Sequence, residues 1–340
     1  MRIDDRHRSL ALRLTLALAA LGAPLGAGCG DDDGAVDAGR GEDAGSRDGG
    51  ESDAATPSED AATPEDAAAV PDAGPGELCG ADCDVVVVDA AWLAEHLGAS
   101  DLAVLDTRGA SAFEAGHVPG ALLVDTGALR RNVGGISGQV APTAELEAAF
   151  REAGLARDDA VVVMGDETTT GPARVFWTLE YAGHPRVLFL DGGWGAWTAG
   201  SGAVETGAPA AAPSSYTIDA LDEARRVDAD WIRDRIEDEG VALYDARSTG
   251  EYEAGHIAGA ESVNWTTNVT GGALRAEGDV RALYPGLGDA TTAVAYCQTG
   301  SRASVTYLVL RWLGAEDARL YDGSWAEWST LDAGTYPREP

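Results

Sequence analysis

The sequence predicts an α/β fold of two tandem domains, each a mainly parallel central sheet flanked by helices on both faces. Two observations predict it. Short β-branched runs alternate with amphipathic stretches, and the chain matches itself. Val85 to Val88, Ala103 to Leu105, Ala160 to Val163 and Val187 to Leu190 read as buried strands. Helix-like segments such as Thr143 to Ala153 and Ala173 to Tyr181 separate them. Ala242 to Tyr244, Ala293 to Tyr296 and Arg319 to Tyr321 repeat the strand pattern. Such alternation implies parallel strands covered on both faces.

The self-match fixes the organisation. Asp106-Thr107-Arg108 and the run Phe113 to Ala121 return as Asp245-Ala246-Arg247 and Tyr252 to Ala260, at a constant offset of 139 residues that also pairs His117 with His256. Asp191-Gly192-Gly193-Trp194 with Trp197 returns as Asp322-Gly323-Ser324-Trp325 with Trp328, at an offset of 131. This is a duplication with a length change between the two motifs. Expected boundaries are 84–200 for the first domain, 201–222 for a linker rich in Gly, Ala, Pro and Ser, and 223–336 for the second.

The first 83 residues read differently. A basic stretch with Arg2, Arg6, Arg8 and Arg13 precedes an apolar run from Leu14 to Leu25, shorter than the roughly 20 residues that span a bilayer. Residues 1–29 are expected to be an export signal. Their end, Leu25-Gly26-Ala27-Gly28-Cys29, resembles the lipobox of bacterial lipoproteins, which implies lipidation of Cys29 and a periplasmic or cell-envelope location. Leu25 stands one place further from the cysteine than that pattern prefers, and a cut elsewhere would discard Cys29. Residues 30–83 are dominated by Asp, Ala, Gly, Glu, Ser, Thr and Pro, and are expected to stay an extended, self-repelling tether because they have too little apolar surface to offset ordering. The formal net charge of -33 argues against a nucleic-acid partner.

Four cysteines need explanation in an exported protein: Cys29, Cys79, Cys83 and Cys297. Cys79 and Cys83 are spaced to close a small disulfide loop. A metal site is the alternative, but two cysteines without a nearby histidine are too few ligands, and no metal is expected. Cys297 is then unpaired, and its surroundings suit reactivity. It ends an apolar strand and opens Cys297-Gln298-Thr299-Gly300-Ser301-Arg302 before the helix-like Ala303 to Leu313. A strand-to-helix loop can turn several N–H groups inward, and the helix N-terminus adds partial positive charge. With Gly300 allowing a tight turn and Arg302 nearby, an exposed Cys297 should be favoured as the thiolate.

The ordered set of Asp-x-Arg, aromatic-Glu, Gly-His-Ile/Val-x-Gly-Ala, Cys-x-x-Gly-x-Arg and Asp-Gly-Gly/Ser-Trp resembles the rhodaneses, or thiosulfate sulfurtransferases, of the tandem two-domain type. The resemblance implies that Cys297 takes the outer sulfur of a small-molecule donor as a persulfide and yields it to a thiophilic acceptor such as cyanide or a thiol. It also implies that the amides of Gln298, Thr299, Gly300, Ser301 and Arg302 hold the persulfide, with Arg302 and Arg247 as anion contacts and Trp265 lining the pocket. No cofactor is expected beyond the carried sulfur. Asp245 and Arg247 could instead pair to pin a strand end, His256 is expected to pack a turn, and the tryptophan pairs are expected in the core.

The first copy departs where the chemistry would lie: Gly165 falls opposite Cys297, and the loop through Pro172 holds Asp166 and Glu167 but neither thiol nor arginine. It should be a structural partner that walls the site. Members selective for thiosulfate often carry an arginine where this chain has Glu251, and a carboxylate there should cost anion affinity. The loop also differs from the Gly-Ser/Thr-Gly-Val-Thr type that suggests mercaptopyruvate, so thiosulfate or a protein-bound or low-molecular-weight persulfide is the expected donor. Two other classes compete. One is a phosphatase or arsenate reductase, whose similar cysteine loop is a residue longer. The other is a carrier or redox-sensing module that holds a persulfide without turnover.

Overall fold

The computed structural model describes residues 86–210 and 212–340. The expected signal, the tether, Cys29 and the Cys79–Cys83 disulfide lie outside the described residues.

The first half runs β1 (Val87–Val88), α1 (Ala90–His96), β2 (Leu102–Asp106), α2 (Ala110–Ala115), β3 (Leu122–Leu123), β4 (Arg130–Val133), β5 (Ile136–Val140), α3 (Thr143–Ala153), β6 (Ala160–Met164), α4 (Thr170–Tyr181), β7 (Val187–Leu190) and α5 (Gly193–Ala199). The second runs β8 (Arg226–Val227), α6 (Ala229–Arg233), β9 (Val241–Asp245), α7 (Thr249–Glu253), β10 (His256–Ile257), β11 (Glu261–Ser262), β12 (Val269–Thr270), β13 (Ala273–Leu274), α8 (Glu277–Arg281), β14 (Thr292–Tyr296), α9 (Ser301–Trp312), β15 (Ala318–Tyr321), α10 (Ser324–Trp328) and β16 (Arg338–Glu339). Each half holds a five-stranded parallel sheet, ordered β1-β7-β6-β2-β3 and β8-β15-β14-β9-β11, so strands that correspond in the duplication occupy the same places.

The central strands β6 and β14 are buried along their whole length, as a parallel strand covered on both faces requires. One apolar core runs through both halves. It joins the inner faces of the two sheets to α3, α4 and α9, while each outer face has a smaller core of its own. Phe176 of α4 and Tyr307 of α9 meet there with ring centroids 6.4 Å apart.

Two features extend the expected organisation. The segment after α5 is docked: Ser214 N–H donates to the Arg151 carbonyl, Ile218 N–H to Glu147, and Tyr216 is buried. The second half continues past residue 336, because Arg338 and Glu339 add β16 antiparallel to β10.

Each half also sends a β-hairpin toward the other, and the two contacts correspond. Val140 N–H, at the end of the β4–β5 hairpin, donates to Asp322 Oδ2 at 2.8 Å. Leu274 N–H, at the end of the β12–β13 hairpin, donates to Asp191 Oδ1 at 2.8 Å. The two aspartates are the same position of the repeated Asp-Gly-x-Trp motif.

Candidate active site

Cys297 follows β14 directly, and four residues later the chain is in α9. Gly300 makes that reversal possible. It sits at φ +85°, where a side chain is strained, and a Cβ there would come within 2.7 Å of both Arg174 Nη1 and Asp322 Oδ1.

The loop is anchored from behind by α10. Cys297 N–H donates to Ser324 Oγ at 3.2 Å, and that hydroxyl donates to the Tyr321 carbonyl at 2.7 Å. Trp325 and Ala326 N–H donate to the Cys297 and Gln298 carbonyls, each at 3.0 Å. The N–H groups of Gln298, Thr299, Gly300, Ser301 and Arg302 have no acceptor among the described residues. Five successive free donors at the start of a twelve-residue helix are groups that can meet an anion.

Arg302 lies within this element and is not free. Its Nη1 and Nη2 each donate to a Glu251 oxygen at 2.7 Å. Glu251 also accepts from Ser248 Oγ at 2.7 Å and Ser248 N–H at 3.1 Å, closing a capping box on α7. The arginine fork draws the Glu251 carboxyl down to about 2, with Ser248 adding to the effect against partial burial. Arg302 is raised above its ordinary value, first by that hydrogen bond, against the opposing effect of burial.

Three expectations require correction. Cys297 is not exposed: it is 1% accessible and belongs to the shared core, while α10 and the first-half hairpin pack against its loop. Gln298, Thr299, Ser301 and Arg302 are half-buried and form its rim. Arg247 is not an open anion contact. Its Nε and Nη2 fork Asp245 at 3.0 and 2.6 Å, Nη2 reaches the Gly255 carbonyl at 2.7 Å, and Trp325 stacks 4.7 Å away. A buried guanidinium must be paired, and the carboxylate two residues back supplies the partner. Glu251 does not stand as a separate repulsive charge, since Arg302 compensates it.

The remaining predicted residues sit around the site. Trp265 opens a short 3₁₀ turn, packs partly buried on the shared core, and donates its N–H to the Ala246 carbonyl. His256 stacks on Tyr252 at 3.6 Å with Nδ1 3.1 Å from the Tyr252 carbonyl, and His117 stacks on Phe113 in the same way. Trp197 and Trp328 are core residues, whereas Trp194 and Trp325 cover Arg108 and Arg247. In the first half, a Cβ at Gly165 would meet Pro172 Cγ at 2.9 Å. Among the described residues no group of three or more His, Cys, Asp or Glu could hold a metal.

Sequence reasoning missed Ser324, Arg174 and the hairpin residues Gly138 and Val140. Ser324 carried a signal: it replaces Gly193 of the first copy yet keeps φ +54°, a conformation that a non-glycine residue holds only under constraint.

Comparison with known proteins places the fold. The model of the rhodanese-like domain matches residues 89–200 and again 228–331, one match per half. The chain belongs to the rhodanese family. Among rhodanese relatives, it is 32% identical to a thiosulfate sulfurtransferase of Pseudomonas aeruginosa, over 75% of this chain and 96% of that protein. It is 30% identical to a sulfur carrier protein of Thermus thermophilus, covering 72% of this chain and 94% of that one. Among solved rhodanese folds it is similar to SseA of Escherichia coli, described as a 3-mercaptopyruvate sulfotransferase, with TM-score 0.64, 26% identity, and coverage of 71% and 99%.

Proposed function

We propose that the protein moves a sulfane sulfur from a small donor such as thiosulfate to a thiophilic acceptor through a Cys297 persulfide. Its class is that of its named relatives: it is a sulfurtransferase. The observation that carries the mechanism is a lone cysteine opening a loop whose five following N–H groups have no acceptor among the described residues.

In the first step the Cys297 thiolate attacks the outer sulfur of thiosulfate. A new S–S bond forms, the donor S–S bond breaks, and sulfite leaves with the electron pair. In the second step cyanide carbon, or an acceptor thiolate, attacks the terminal sulfur. The persulfide bond breaks and the Cys297 thiolate returns. Negative charge stays at the loop throughout, where fixed amide dipoles meet it without reorganisation. The 1% accessibility of Cys297 favours a slender donor atom over a bulky one. Work in the cell envelope, with the acidic segment as spacer, is part of this proposal and rests on the signal-like pattern of the sequence before Cys29.

A second reading is favoured by one observation. Glu251 occupies Arg302, so no unpaired cation of this loop meets a dianionic donor, and a carrier that holds persulfide with little turnover fits that. Steady-state thiocyanate formation from thiosulfate and cyanide separates the two. Multiple turnovers by the wild type, lost in Cys297→Ser, support transfer. One equivalent of thiocyanate followed by arrest supports the carrier, and aryl phosphate hydrolysis without thiocyanate refutes both.

A further inference from the structure

Arg174 belongs to the half without a cysteine, on α4, and its side chain is 1% exposed. Nη2 donates to Asp322 Oδ1 at 2.6 Å and to the Gly138 carbonyl at 3.2 Å, while Nη1 and Nε have no acceptor among the described residues. Asp322 is fully buried. The Gly300 turn of the cysteine loop rests directly on this ion pair, as the 2.7 Å approaches of a Cβ to both members show. Gly138 abuts the same loop, 3.5 Å from the Thr299 carbonyl when given a Cβ.

The duplication supplies an internal control. Asp191 is the counterpart of Asp322 and receives its own hairpin N–H from Leu274, together with the Thr168 hydroxyl at 2.7 Å. No arginine pairs with Asp191 among the described residues, and Val305 holds the place in α9 that Arg174 holds in α4. The hairpin-to-aspartate contact therefore forms in both halves, and the cation is added only where the cysteine is. A buried carboxylate beside a loop that must carry a thiolate raises the energy of that anion, and a paired guanidinium cancels the effect.

We propose that Arg174 is a positioning residue for Cys297, lent by the cysteine-free half: it cancels the charge of Asp322, against which the Gly300 turn packs, so that the loop holds an anion. This rests on the sulfur-transfer reading of Cys297. The charged groups around the loop are Arg302 with Glu251, Asp322 with Arg226 4.0 Å away, and Arg174 and Arg130 from the first half.

The test uses the full chain with Arg174→Met, Arg174→Lys and the double variant Arg174→Met/Asp322→Asn. It reads alkylation of the Cys297 peptide by iodoacetamide against pH, by mass, with circular dichroism and thermal melting alongside. Arg174→Met should move the alkylation midpoint upward by about 1 pH unit and slow thiosulfate loading at neutral pH about tenfold. Arg174→Lys and the double variant should each return the midpoint to within about 0.3 unit of wild type. An unchanged midpoint in Arg174→Met with only a lower melting temperature overturns the proposal, as does a double variant shifted as far as the single. If Arg174→Met does not fold, Arg174→Gln takes its place in the same comparison with the double variant, and an unchanged midpoint in Arg174→Gln overturns the proposal. Alkylation needs no sulfur donor, so a wild type that never takes sulfur refutes the transfer reading separately.

Discussion

Ser324 and Glu251 act on the cysteine loop through single side chains. The Ser324 hydroxyl takes the Cys297 N–H, which is buried. Ser324→Ala leaves that donor unsatisfied and should cost roughly 1–3 kcal/mol in denaturant unfolding, with slower loading of Cys297. Loss of neither would mean that the hydroxyl is incidental. Glu251 has a depressed folded-state pKa, so its stabilisation is complete above the ordinary carboxylate range and is lost as pH falls toward about 2. The pair is about one-third exposed, so Glu251→Gln should cost below about 1 kcal/mol at neutral pH and nothing near pH 2. Urea titrations of both proteins at the two pH values check the sign. These residues differ in legibility. Cys297 announced itself as a lone thiol between strand and helix, whereas the pairing of Arg302 with Glu251 joins positions 51 apart. Charge signs alone suggested repulsion from the substrate, and only the fold reveals which charge each one meets.

At the level of elements, the loop between β14 and α9 is the structure most sensitive to change. Gly300→Ala places a side chain at positive φ and against a buried ion pair, and should destabilise by at least about 2 kcal/mol with loss of sulfur transfer. Wild-type melting and activity in that variant would contradict the close packing. The corresponding change in the first half, Gly165→Ala, meets the Pro172 ring at 2.9 Å. It should lower stability while leaving transfer per folded molecule largely intact. Strand and helix positions were legible because period and burial are local: Thr143–Ala153 and Val187–Leu190 form over the residues their patterns predict. The hairpins β4–β5 and β12–β13 were not, since their strands are short and lack an alternating apolar pattern.

For the whole molecule, the duplication was plain in the sequence, but its use was not. Two sheets with the same strand order share one core, and the cysteine-free half reaches across it with Arg174, which is 148 residues from Asp322. No local pattern encodes such a contact. The docked connecting segment has its own signature. His184 is driven down to about 4, chiefly by burial, with Nδ1 3.0 Å from the Tyr216 hydroxyl and Nε2 2.8 Å from the Asp159 carbonyl. A folded state that resists protonating this ring is fully stabilised above the unfolded value of about 6.5 and loses that stability as pH falls toward about 4. The loss should approach roughly 3 kcal/mol and be much smaller in His184→Asn, as equilibrium unfolding at pH 7 and pH 4 would reveal. Equal slopes in the two proteins would contradict a neutral, buried His184.

The central claim is that Cys297 itself carries the sulfur. Intact-peptide mass spectrometry after brief exposure of the purified protein to equimolar thiosulfate tests it most directly. The peptide bearing Cys297 should gain one sulfur atom, and cyanide should remove it. An unmodified Cys297 peptide in a protein that still forms thiocyanate would contradict the account.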